Sequence, residues 1–161
     1  MNPQIDLTLA EIQMAALIGM QRTIECIKLN ASHRHGAQDD TTWQMSIEGA
    51  LAECALAKHL NFYWSKGQRG AADVYNVDCR QTHHLNGCLI LHPDDVDERK
   101  YYLLVGKQGS YELKGHIIAK NGKIPHYWRD IKETLKDGRI VDRSAYFVPQ
   151  NALIQPHFLD D

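Results

Sequence analysis

The chain has 161 residues, a formal net charge of −2, 43% hydrophobic and 24% charged residues. That length fits one domain, 1–161, with a core of its own, and the proportions are those of an ordinary globular protein. A polycation is excluded, and the absence of a long apolar run excludes a membrane-spanning helix.

Thr8-Leu9-Ala10-Glu11 has the pattern of a capping box and predicts a long helix from about Thr8 to Leu29. Ile12, Ala16, Met20, Ile24 and Ile27, spaced three or four apart, form its expected apolar stripe. Ser32 to Thr42 is polar and reads as a loop. A second helix is expected from about Ser46 to Leu60, and Gly67 and Gly70 mark a turn-rich link. From Ala71 the pattern becomes extended. A strand is expected from Val77 to His84, and Cys88-Leu89-Ile90-Leu91 is an apolar run. Tyr101–Val105 and Tyr111–Ile118 complete an expected meander, with an acidic turn from His92 to Lys100. Ile124 to Leu135 reads as loosely helical. Ala145–Val148 reads as a short strand and Asn151–Leu159 as a tail with an apolar anchor. The expected class is α/β: helices first, then a mixed, mostly antiparallel sheet, then helix and strand.

Cys26, Cys54, Cys79 and Cys88 have no CxxC spacing, so a zinc knuckle is not expected. Cys54 and Cys79 lie in apolar sequence and read as small buried residues of a reducing compartment. No signal peptide is recognisable, and a cytoplasmic location is expected.

The chemistry concentrates in Ala72-Asp73-Val74-Tyr75-Asn76-Val77-Asp78-Cys79-Arg80 and, upstream, Gly49-Ala50-Leu51-Ala52-Glu53. Acids among apolar neighbours need a partner, and a hard divalent cation is the usual partner of converging carboxylates. Helix phase turns Glu53, rather than Glu48, toward the sheet. Strand alternation puts Asp78, Arg80, Thr82 and His84 on one face and Val77 and Cys79 on the other. A tight turn at Tyr75-Asn76 would bring Asp73 to Asp78. Such a set suits phosphodiester hydrolysis, in which a metal ion activates water and a cation steadies the developing charge. The plainer alternative is an exposed Asp78–Arg80 pair worth ~0–1 kcal/mol, with Asp73 a turn former.

Charge is unevenly spread. Eight cations face four acids between Lys114 and Arg143, leaving +4 there and −6 elsewhere. Lys114, Lys120, Lys123 and Arg129 are therefore candidates for a nucleic-acid footprint; a solvated surface is the alternative. His84 could act as a base near neutral pH. His33-Arg34-His35 reads as a solvated loop, and Asp94, Asp95 and Asp97 lack calcium-loop spacing. Trp43, Tyr63 and Trp64 read as core edges rather than a base-stacking platform. Arg22 and Arg34 could reach phosphates, but the sequence does not show where they point.

Gly49–Leu60, Ala72-Asp73-Val74 and Asp78-Cys79-Arg80 together resemble the PD-(D/E)XK, or restriction-endonuclease-like, nuclease superfamily, and its small phage-encoded members most closely. The resemblance covers about Gly49 to Ile118. It implies a metal-dependent nuclease acting on DNA in the (host) cytoplasm. Glu53, Asp73 and Asp78 would hold Mg²⁺ or Mn²⁺. The partner would be nucleic acid, most of all DNA, with no membrane and with room for a homodimer. Arg80 stands where the superfamily has Lys, and an arginine supplies charge but does not accept a proton. Two rivals follow: a weak or inactive nucleic-acid-binding member of the same fold, and a metal-free host-interaction protein with structural carboxylates.

Overall fold

The computed structural model describes residues 1–29, 41–65 and 71–156. Most of the loop expected at Ser32–Thr42, and the Gly67/Gly70 link, lie outside them. The order is β1 (Gln4–Asp6), α1 (Leu9–Lys28), α2 (Thr42–His59), β2 (Val77–Thr82), β3 (Leu89–Leu91), β4 (Lys100–Lys107), β5 (Ser110–Ile118), a short helix α3 (Ala119–Gly122), β6 (Trp128–Arg129), β7 (Lys132–Thr134), β8 (Ile140–Asp142) and β9 (Ala145–Val148). The class is mixed α/β.

The capping box forms as the sequence suggests: Glu11 N donates to Thr8 Oγ1 at 3.3 Å, and Thr8 N donates to Glu11 Oε2 at 2.6 Å. The expected stripe on α1 does not form the core. Met20, Ile24 and Ile27 are exposed, and the buried residues are Ala15, Gly19 and Thr23. Small residues win because α1 and α2 touch backbone to backbone. A Cβ on Gly19 would lie 2.6 Å from Ile47 Cα and from Ser46 O. Long side chains cannot occupy that seam.

The main sheet has the order β1-β5-β4-β2. β1 and β4 run antiparallel to β5, but β2 runs parallel to β4. The expected meander is therefore replaced by a crossover, which a parallel pair requires. On the way from β2 to β4 the chain leaves this sheet as β3, which pairs instead with β9; β6 lies on the far side of β9. Between its exposed end lysines the centre of β4, Tyr101–Val105, is apolar because both its faces are covered. Leu104 joins the cluster beneath α1 and α2, with Leu56, Val74 and Tyr111. Tyr101, Leu103 and Val105 join the second cluster, with Leu89, Leu91 and Val148.

Ile124–Leu135 is not helical. A 3₁₀ turn at Pro125–Tyr127 leads into β6 and β7. Pro125 is at home in the first turn, but the pairing of Trp128 with Tyr146 then captures the chain as a strand. β7 and β8 form a separate hairpin that the sequence reading missed. The tail is anchored by buried Leu153, and by Ile154, which exchanges backbone hydrogen bonds with His116.

Candidate functional site

β2 is an edge strand, so groups from both faces of the sheet can meet around it. Just before it, Val74 and Val77 exchange both backbone hydrogen bonds, at 3.0 and 2.9 Å. The intervening Tyr75-Asn76 makes a two-residue turn. Tyr75 adopts φ 49°, an unfavourable region for a bulky side chain, and its ring stacks on Phe62 at 5.0 Å. In this hairpin Asp73 and Asp78 are direct cross-strand neighbours on one side. Asp73 N donates to Asp78 Oδ1 at 2.9 Å, and Cys79 N donates to Asp73 Oδ2 at 2.9 Å.

Glu53 approaches from α2. It is 7% exposed, whereas Glu48 is half-buried and accepts from Gln108 N and Tyr111 Oη. Arg22 on α1 holds Glu53 with two contacts of 2.7 Å. Asp78 accepts from Arg99 Nη1 at 3.0 Å. Burial pushes the Asp73 carboxyl up to about 7, and the charges of Glu53 and then Asp78 push in the same direction; the Cys79 N–H opposes them. Burial, followed by the charges of Asp73 and Glu53, also pushes the Cys79 thiol well above its ordinary value.

Their oxygens are nonetheless turned to internal partners. Among the described residues, no group of three or more His, Cys, Asp or Glu side chains is arranged to hold a metal ion. The donor types are those a hard cation takes: three carboxylates, one of them raised to about 7 by burial and then by the other two.

Arg80 shares the face of Asp78 but is engaged elsewhere. Its Nε donates to Ile90 O at 3.0 Å, its Nη1 to Cys79 O at 3.3 Å and its Nη2 to Asp95 Oδ1 at 2.9 Å. The guanidinium lies 4.8 Å from the centre of the Tyr101 ring. From there a cavity of 1380 Å³ opens between the end of β2, β3 and the β6–β9 region. Arg80, His84 and Arg129 line it, whereas Glu53, Asp73 and Asp78 do not.

The remaining candidates are scattered. Lys114 pairs with Glu112 and Lys120 with Glu98. Lys123 pairs with Asp97 and binds the carbonyls of Pro93 and Asp95, so it braces the acidic turn. None of these three lysines lines the cavity, whereas Arg129 does.

The sequence alone gives no site role to Arg99 and Trp128, names Arg22 only as a residue that could reach phosphates, and gives Asp95 only as one acid of the turn. Arg22 had a readable signal. It lies beside the small-residue seam Ala15-Gly19-Thr23, one turn from the point where α2 presents Glu53. Arg99 and Asp95 had none, because only the fold of the turn carries them to Asp78 and Arg80. No family model, curated protein or solved structure matches the chain.

Proposed function

We propose that the chain is a metal-dependent nuclease of the restriction-endonuclease-like type, acting on nucleic acid and on DNA above all. One observation carries this reading: Asp73 is buried beside Asp78, and burial, followed by the charges of Glu53 and Asp78, lifts its carboxyl to about 7. A strongly perturbed acid beside other carboxylates is a mark of functional sites. Glu53, Asp73 and Asp78 would hold Mg²⁺ or Mn²⁺. The ion would supply water activation and charge neutralisation at the phosphate.

The chain's own groups have separate tasks. Asp73 gives up its proton as the site loads. Arg22 neutralises Glu53 in the unloaded protein and competes with the ion for it. Arg80, steadied by Asp95, presents fixed positive charge between the carboxylates and the cavity and does not act as a base. His84, exposed on the cavity wall, is the side chain proposed as general base.

The test is plasmid nicking with Mg²⁺ or Mn²⁺, alongside Mn²⁺ titration calorimetry, for wild type and Asp73→Ala. Both activity and metal binding should be lost together in the variant. Metal-dependent nicking that survives Asp73→Ala overturns the assignment.

A second reading is a nucleic-acid-binding member of the same fold without turnover. It is favoured by Arg80 being locked onto Asp95 while Glu53 and Asp78 are both ion-paired. It is the correct one if wild type binds nucleic acid yet shows no nicking with either metal.

A further inference from the structure

We infer that the cavity beside Arg80 is a binding site for an unpaired nucleic-acid strand, with the Trp128 ring as its base-stacking surface and Arg129 as its phosphate contact. This rests on the nuclease reading and adds to it the form of the substrate: single-stranded rather than duplex.

Trp128 lines the cavity and is 40% exposed. Its indole is set in place by Tyr146, with ring centres 4.9 Å apart at 63°. The strand pairing of β6 with β9 fixes that relation at Trp128↔Tyr146. A large, half-exposed ring braced from behind is a rigid stacking surface. Next to it, Arg129 lies 4.7 Å above the Phe147 ring. Among the described residues its guanidinium has no carboxylate partner, in contrast to Arg80 and Arg143, which pair with Asp95 and Glu133. Asp94 and Asp142 also line the cavity, and the Asp142 carboxylate accepts from Ser144 N at 2.9 Å. Arg129 is thus the cation left over for a ligand's charge. An aromatic face with an adjacent free cation is the pairing that single strands use, because every unpaired base offers a π-face and every phosphate a charge. In a duplex the base faces are stacked on one another and offer nothing to the indole.

Size and position agree. At 1380 Å³ the cavity exceeds the ~300–1000 Å³ of an ordinary small-molecule pocket, room for a short run of nucleotides. Arg80 lies on the same face of β2 as Asp78 and two residues along it, about 7 Å away. A strand seated on Trp128 and passing Arg80 therefore delivers its next phosphate toward the carboxylates.

The test is fluorescence anisotropy with short labelled single-stranded DNA, the same sequence as RNA, and its DNA duplex, all in EDTA so that cleavage plays no part. Single strands should bind at least about tenfold more tightly than the duplex. Trp128→Ala should weaken single-strand binding about tenfold or more, and Trp128→Phe should stay close to wild type. Arg129→Ala should weaken binding and lower the salt slope by about one phosphate contact. Preference between the DNA and RNA arms identifies the sugar, and either result supports the proposal. Equal or tighter duplex binding, no loss in a folded Trp128→Ala protein, or no binding by any probe overturns it. The nuclease reading fails by a different result: strand binding intact, with neither cleavage of the bound single strand nor plasmid nicking in Mg²⁺ or Mn²⁺.

Discussion

The guanidinium of Arg22 on α1 forks onto the carboxylate of Glu53 on α2, Nη1 to Oε1 and Nη2 to Oε2, both at 2.7 Å. Glu53 is 7% exposed, and a carboxylate buried that far needs a counter-charge. The pair therefore ties the two helices together at the end of their seam. Arg22 is also the nearest competitor of any cation that Glu53 could bind.

Removing that competitor has two opposite consequences. Arg22→Gln should lower unfolding free energy by about 2–4 kcal/mol, since an unpaired buried carboxylate is left behind. It should also raise Mn²⁺ affinity, since the ion no longer has to displace a guanidinium. Urea denaturation gives the first quantity and titration calorimetry the second. A variant that loses both stability and metal affinity would mean that Arg22 organises the site rather than competing for it.

Asp73 makes stability depend on pH in an unusual direction for an acid. Its folded value, about 7, lies above the ordinary carboxylate value of 3.8. Between those two values the native state holds the proton and the unfolded chain has released it. Stability therefore falls as pH rises from about 4 to about 7, and the penalty is then constant. Asp73→Asn removes the penalty. It should be more stable than wild type at pH 8 by an amount of the order of 2–4 kcal/mol and indistinguishable from it near pH 4. Mn²⁺ should raise the melting temperature of wild type more at pH 8 than at pH 5.5, and should leave Asp73→Asn unmoved. A melting temperature for Asp73→Asn that tracks wild type at every pH would remove Asp73 from the centre of the cluster.

The parts readable in sequence are those that local chemistry decides. Thr8 and Glu11 announce the start of α1. The short span between Asp73 and Asp78, with Tyr75-Asn76 in its middle, announces a hairpin that makes neighbours of the two acids. The parallel pairing of β2 with β4 was not readable. It depends on where β3 goes, and β3 is recruited by β9, more than fifty residues later. The same holds for Arg80. Strand alternation gives its face correctly, but the carboxylate that captures it, Asp95, reaches it only through the folded turn. Trp128 stands in a span, Ile124–Leu135, whose sequence reads as loosely helical. Its pairing with Tyr146 is a tertiary fact that outweighs local propensity.

The seam between α1 and α2 gives a test in which two effects oppose each other. Gly19→Ala improves helix propensity by about 1 kcal/mol. The added Cβ, however, would meet Ile47 Cα and Ser46 O at 2.6 Å, both of them main-chain atoms. Backbone does not yield as a side chain does, so the steric effect should win. A net loss of about 1–3 kcal/mol in chemical denaturation is expected. Gly49→Ala is the control, since nothing lies within 4 Å of its added Cβ, and it should be neutral or stabilising. If Gly19→Ala is stabilising too, the helices are not packed backbone to backbone.

Arg80→Lys separates what Arg80 holds together from what it does in the reaction. One guanidinium reaches Ile90 O, Cys79 O and Asp95 at once, and covers Tyr101. A lysine ammonium lacks the planar fork and cannot reproduce that set. The variant should lose about 1–3 kcal/mol of stability, with the loss concentrated in faster hydrogen exchange around Ile90 and the His92–Arg99 turn. Mn²⁺ affinity should be unchanged, because the carboxylates keep their partners Arg22 and Arg99. If Arg80 also steadies the phosphate during cleavage, Arg80→Ala lowers the nicking rate by ~10²–10³. Arg80→Lys would then retain or exceed the wild-type rate, since lysine keeps the charge and can also orient water. Asp95→Asn completes the set: it loosens Arg80 without removing its charge, and should cost stability while leaving nicking within about threefold of wild type. Nicking that is indifferent to both Arg80→Ala and Arg80→Lys would make Arg80 a purely architectural residue, tying β2 to the turn before β4.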